Sequence, residues 1–394
     1  MSVVLHEALG QVLPPDDAVA AAACRNNTAG YLTSLKPGMY TSSGFFSCFR
    51  QADEVFAFMD ALMKQTTATS NVSMTKFNIS TTVFGQSIPA YTLSSTKDNT
   101  TKKIMYMHST MHAREWIALT SAIYSWATVL DGIATRQASI LPLIDLYNWV
   151  YVPIVNLDGY IYTWTKDRYH RKNMHPQSID PDDVLTNWTA GVDLNRNFGP
   201  QDDTDEESLT YCGPYPFSEP EVRGIKAWLD AVQVNGSGLV AALDVHSYGG
   251  QVLTPYGNKS AAPAAPFADA FDTLAHAMQS SMAAVGGNYT AMQAYDLYFA
   301  QGMFQDYLFA TYNVPAIVVE VSGNDFRAPV ASIPIRGREV AAALLTFATN
   351  ARTWIQDAKP KPTQKTPTMA HTSGSSMFEL AFVVAVVVVV AAAL

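Results

Sequence analysis

Cysteine is scarce, with three residues (Cys24, Cys48, Cys212) among 394. That excludes a small disulfide scaffold, and no Cys-x-x-Cys pair proposes a structural zinc or redox site. Positive charge is scarce as well. The chain carries 25 Lys and Arg against 34 Asp and Glu, a net charge of -9. Its densest basic patch, Arg168, His170, Arg171 and Lys172, is too short to bind a phosphate backbone, so nucleic acid is not an expected partner. Long apolar runs are also lacking. The terminal run Leu380 to Leu394 has no charge, but it falls short of the roughly 20 residues that a spanning helix needs. No repeat with a period of about 20–50 residues is visible. Apolar material in total is plentiful: 48% hydrophobic and 11% aromatic residues provide for a large core and exclude a disordered chain.

Asparagine carries a location signal. Asn26, Asn71, Asn78, Asn99, Asn187, Asn235, Asn258 and Asn288 each begin Asn-x-Ser/Thr, where chance would give about 3 such sites. Eight point to passage through an oxidising secretory route, and hence to an extracellular or cell-surface protein. At the other end, small residues Ser373, Gly374 and Ser375 precede the apolar tail. That order reads as a glycosylphosphatidylinositol signal, with a short membrane helix or a plain hydrophobic terminus as alternatives. Residues 1–24 carry no recognisable secretory leader, because His6, Glu7, Asp16 and Asp17 interrupt any apolar stretch.

Periodicity defines the fold class. Residues 1–44 read as irregular, and a helical pattern follows from Gln51, with Val55, Phe56, Met59, Leu62 and Met63 on one face. Continuous β-branched-rich runs at 104–107, 149–155, 239–245 and 316–321 read as buried strands. Segments 116–130, 219–232, 266–285 and 336–349 read as helices. Alternation of this kind predicts one α/β domain over 45–355, with a twisted, mixed but mostly parallel central sheet flanked by helices on both faces. A Pro/Lys/Thr/Ser-rich linker (356–376) and the hydrophobic tail (377–394) follow it. The acidic stretch Gln201–Glu207 reads as a solvated insertion.

Three features carry chemistry. His112 and Glu115 stand three residues apart directly after a predicted strand, a spacing that lets both reach one ion. His246 closes another buried run and supplies a third ligand at a strand's carboxyl end, where ligands gather in open α/β sheets. Two imidazoles and a carboxylate would leave a zinc ion one open position; a hydrogen-bonded core histidine is the plainer reading of His246. Glu320 interrupts a strand expected to be buried on both faces, where an unpaired carboxylate would cost several kcal/mol. A metal, a cation or catalytic use would offset that cost, as would a structural ion pair. Finally, Asp193, Asn195, Arg196 and Asn197 crowd together, with donors suited to a carboxylate and an acid able to orient a metal-bound histidine.

The segments HAREW (112–116), GVDLNRNF (191–198) and DVHSY (244–248), with Glu320 on its strand, resemble the zinc carboxypeptidases of the A/B type in order and spacing, from about Ser47 to Thr353. The resemblance implies a zinc-dependent exopeptidase that releases one C-terminal residue from peptides and proteins, with one Zn²⁺ per chain held by His112, Glu115 and His246. It implies Glu320 as the general base toward water at the zinc, and Arg171 as the arginine that steadies the developing oxyanion. Asn195 and Arg196 would clamp the substrate's terminal carboxylate, Tyr298 would be the mobile tyrosine that closes over it, and Arg114 would contact the residue further in. In that family the position held here by Gln305 sets the preferred C-terminal side chain, with Ala300, Val318 and Gln293 around it. A neutral amide there implies uncharged C-terminal residues. The resemblance further implies a monomer, leaves membrane attachment to the C-terminal tail, and makes Cys24–Cys48 a plausible disulfide. A complete inhibitory pro-domain is not expected from the 45 or so residues that precede the domain.

Overall fold

In the computed structural model of the chain, residues 16–96, 102–176, 191–234 and 238–357 are described. The strands are β1 (Val72–Thr81), β2 (Ser87–Ser95), β3 (Lys103–Ser109), β4 (Tyr147–Val152), β5 (Leu239–Ser247), β6 (Gln251–Thr254), β7 (Thr290–Gln293) and β8 (Ala316–Val321). The helices are α1 (Asp16–Asn27), α2 (Ala52–Thr69), α3 (Trp116–Ala134), α4 (Leu141–Leu146), α5 (Leu157–Thr165), α6 (Pro220–Val234), α7 (Phe267–Ala283), α8 (Ala294–Leu297), α9 (Phe304–Tyr312) and α10 (Ile333–Asp357).

The strands form one sheet in the order β1-β2-β4-β3-β5-β8-β6-β7. Its centre is parallel: β4 with β3, β3 with β5, and β5 with β8. The edges turn antiparallel through β1–β2, β2–β4 and β6–β8. From β3 the chain passes to β4 on one side and later returns to β5 on the other, so the order reverses at β3. A crevice opens at the carboxyl ends of strands at such a reversal. The four runs expected as strands and the four expected as helices all form, with the run at 149–155 ending as a strand at Val152.

Alternation along the strands builds a core on each face. Met105, Met107, Leu243 and Val245 pack with α3, α7 and α10 on one side. Ile104, Tyr106 and Ala242 meet Val222, Ile225 and Leu229 of α6 and Leu308 of α9 on the other. Every residue of β5 is buried, which explains its unbroken apolar sequence. Helix α3 is apolar almost all round because it lies in the core, and its length and hydropathy alone would equally suit a membrane span. Helix α2 begins with a capping box in which Gln51 and Glu54 exchange side-chain and backbone hydrogen bonds.

Three expectations need correction. Within the described part of the segment expected as irregular, α1 forms and is tied to the domain by the Cys24–Cys48 disulfide and by an ion pair from Asp17 to Arg168. The acidic stretch 201–207 is more than a solvated insertion: the buried Lys172 donates to the carbonyls of Glu206 and Ser208 at 2.9 and 2.7 Å, so this loop and the residue after it take up the N–H groups of an internal cation. Helix α10 runs two residues past the expected boundary at 355. The rest of the expected linker and the apolar tail lie outside the described residues, as do Asn99, Asn187 and Asn235.

Candidate metal centre

His112 and Glu115 sit on the short segment that links β3 to α3, and Glu115 is the residue that caps α3. His246 lies near the end of β5, next to Glu320 of β8 in parallel register. The ligand atoms of His112, Glu115 and His246 all lie within 4.8 Å of one another, and all three residues are buried. Nδ1 of His112 is 2.8 Å from Glu115 Oε1 and 3.0 Å from Nδ1 of His246. Glu115 Oε2 accepts the Ser247 N–H at 3.0 Å and lies 3.1 Å from Nδ1 of His246.

The outer nitrogens face carboxylates. Nε2 of His112 is 3.1 Å from Asp193 Oδ1, and Nε2 of His246 is 2.8 Å from Asp244 Oδ1. An acceptor at Nε2 keeps the ring proton there and leaves the Nδ1 lone pair facing inward. Two such lone pairs and one carboxylate oxygen, closely spaced, suit the N/O ligand chemistry of zinc. The residues present therefore fit the ion.

Local charge is arranged around this cluster. Burial alone would raise Glu115, but His112 and His246 hold it well below the usual carboxylate range. Burial likewise opposes Asp193, which Arg171 and then His112 bring far down. Arg171 donates to Asp193 Oδ2 from Nε at 3.0 Å and Nη2 at 2.7 Å. Glu320 behaves in the opposite way. Burial pushes it up to about 8, Glu115 and Asp244 add to the rise, and His246 and Arg171 oppose it.

A cavity of about 290 Å³ opens here, lined by His112, Glu115, Arg171, Asn195, Tyr298 and Glu320 among others. Asn195 is fixed by its backbone N–H to Asp193 (2.9 Å) and by its Oδ1, which accepts from the Phe304 N–H (2.8 Å). Arg196 reaches the cavity through the half-exposed Tyr298, whose hydroxyl accepts from Nη2 at 2.7 Å. Arg114 stands over the ring of Phe326, 4.0 Å from its centroid, and Phe326 forms part of the wall. Burial and the neighbouring Arg171 lower Arg114 to about 10.

The specificity position departs from expectation. Gln305 is fully buried with neither amide atom hydrogen-bonded, and it does not line the cavity. Leu253, Ala294, Leu297, Met303 and Val318 do, and Ala300 packs into the same small apolar cluster. Gln293 turns its amide away to the carbonyls of Tyr256 and Lys259, at 3.0 and 2.7 Å. Asp244 escaped sequence reasoning altogether. Its signal was the one used for Glu320, a charge inside a strand that is buried on both faces.

Residues 59–343 match the family model described as zinc carboxypeptidase. Carboxypeptidase O of Bos taurus is 36% identical over 187 residues, which cover 44% of this chain and 46% of that protein. Carboxypeptidase B2 of Homo sapiens is 30% identical over 224 residues, 55% of this chain and 48% of its own length. A protein named inactive metallocarboxypeptidase ECM14, from Arthroderma benhamiae, is 32% identical over 198 residues, 48% of this chain and 32% of its own. The chain thus spans a third to a half of these curated relatives. Among solved structures, carboxypeptidase A from Helicoverpa armigera superposes with a TM-score of 0.70 at 23% identity, covering 86% of this chain and 81% of that one. This likeness concerns the fold.

Proposed function

The chain belongs to the zinc carboxypeptidase family, and we propose that it is a zinc-dependent exopeptidase that removes single C-terminal residues from peptides. One observation carries the reading: Glu320 lines the same cavity as His112 and Glu115 and lies in register with His246. Zinc held by His112, Glu115 and His246 supplies a Lewis acid that makes water acidic and polarises a carbonyl. The protein's own groups do the rest. Glu320 accepts a proton on its carboxylate and returns it to the departing amine. Arg171 presents cationic N–H donors to the oxygen on which negative charge develops. Asn195 and Arg196 take the terminal carboxylate of the substrate, which requires Tyr298 to yield its place on Arg196. The wall of Leu253, Met303 and Val318 favours an uncharged C-terminal side chain, with Arg114 and Phe326 next to the residue further in.

The name of the Arthroderma relative makes a catalytically silent protein the rival reading. Retention of Glu320 beside a complete ligand set supports the enzyme instead. Blocked dipeptides ending in Leu, Phe, Arg or Glu decide between them. Cleavage should be fastest for Leu or Phe, vanish with a chelator and return with zinc. Glu320→Gln should keep zinc yet lose about 10²–10⁴-fold in kcat. A Glu320→Gln protein as active as the wild type contradicts the assigned base, and faster release of Arg contradicts the pocket.

The protein is further proposed to act outside the cell as a glycosylated monomer with one zinc per chain, held at the surface through its C-terminal tail if that tail is processed as a lipid signal.

A further inference from the structure

We propose that Asp244 and His108 form a positioning pair behind His246, setting which of its ring nitrogens faces the metal and how firmly it binds. The inference rests on reading the cavity as a zinc site. It does not depend on what the zinc enzyme cleaves.

Residues two apart on a strand share a face, so Asp244 stands behind His246 on β5. The parallel register of β3 with β5 sets His108 opposite Asp244. As a result, Asp244 Oδ1 lies 2.8 Å from Nε2 of His246 and 2.8 Å from Nε2 of His108. All three side chains are buried, at 1% exposure or less. Neither oxygen of Asp244, nor Nε2 of His108, makes a well-aligned hydrogen bond among the described residues, so the two imidazoles face this carboxylate as close ion-pair contacts at 2.8 Å. A lone buried carboxylate is costly, and two ring N–H groups offset that cost only if both protons lie on the Asp244 side. For His246 this places the Nδ1 lone pair toward His112 and Glu115. His108 is held in turn: its Nδ1 lies 3.1 Å from the Tyr106 hydroxyl, and its ring packs on Phe304 at 4.4 Å. Tyr106, His108, Asp244 and His246 thus run from the buried sheet to the cavity.

The arrangement also affects Asn195, whose Nδ2 is 3.3 Å from Nε2 of His246. Two donors cannot satisfy each other. With the His246 proton directed at Asp244, the Asn195 amide keeps its N–H groups for the cavity.

Zinc affinity, measured by competition with a chelator, tests the pair without substrate. Loss of an outer-shell partner of a metal ligand typically costs about 10–100-fold in affinity. Asp244→Asn should bind zinc about 10–100-fold more weakly and shift the visible absorption of the cobalt(II)-substituted protein, while the melting temperature of the metal-stripped variant does not fall. His108→Leu should weaken zinc several-fold, and His108→Gln, which keeps a donor, should restore it to within about twofold. Wild-type affinity and an unshifted cobalt spectrum in Asp244→Asn overturn the proposal. Should that variant fail to fold, equal zinc affinities in His108→Leu and His108→Gln overturn it instead. A wild-type protein that binds zinc but cleaves no peptide defeats the peptidase reading and leaves this one standing.

Discussion

Glu320 and Asp244 show how far a single residue can be read. Both are acids inside apolar strands, and both are anomalous for the same energetic reason. For Glu320, a single clash between side chain and environment was enough to single out a residue that lines the cavity. For Asp244 the clash was equally present in LVAALDVHSY, but its resolution depends on His108, 136 positions earlier and brought opposite only by strand register. The buried acid Glu221 is a test case away from the cavity. Glu221 accepts from the Val83 N–H and from Asn173, and burial pushes it up to about 7, with Glu219 adding to the rise. In the unfolded chain it titrates near its usual 4.5. Between these values the folded state holds the extra proton, so stability falls as pH rises through that window. Glu221→Gln removes this liability. Relative to wild type, its urea midpoint should rise between pH 5 and pH 8, by up to about 3 kcal/mol in stability. A difference that stays constant over that range would contradict the assignment.

At the scale of elements, legibility followed burial. The strands covered on both faces and the amphipathic helices stood out in the sequence because one periodicity dominated each. The β1–β2 hairpin did not. β1 is an edge strand whose burial pattern is mixed, and VSMTKFNIST carries more polar than apolar positions. Short β6 and β7 gave too few residues for a period to show. The sequence also could not reveal how the turn Leu194–Arg196 is braced. Gly302, with φ +64°, lies against it so closely that an added Cβ would stand 2.0 Å from the Arg196 carbonyl oxygen. Its own carbonyl accepts the Phe198 N–H at 3.0 Å. Gly302→Ala must move either the strained backbone or the turn, at a cost of about 1–3 kcal/mol. We expect a lower melting temperature together with a raised KM, because Arg196 moves with the turn. An unchanged KM would separate this brace from substrate binding.

For the whole molecule, the sequence foretold one α/β domain but not that its first helix would be fastened to it. Location is tested at the same scale. Asn26, Asn71, Asn78 and Asn288 are exposed, while Asn258 is half-buried, so the fold tolerates glycans at the first four. Protein made through a secretory route should lose mass on enzymatic removal of N-linked sugars, with those asparagines converted to aspartate. An unchanged mass would remove the case for secretion. The cysteines, finally, bear on how this molecule ends its working life. While it is folded, Cys212 is enclosed and unbridged, its thiol raised by burial and resting against the Asp203 carbonyl. Once the chain opens, the freed sulfur can attack Cys24 or Cys48, and mispaired chains cannot find their way back. Heating should therefore kill activity irreversibly, on a clock set by opening. An alkylating agent present during the heat pulse should rescue recovery on cooling, and a recovery no better with it than without would place the damage elsewhere.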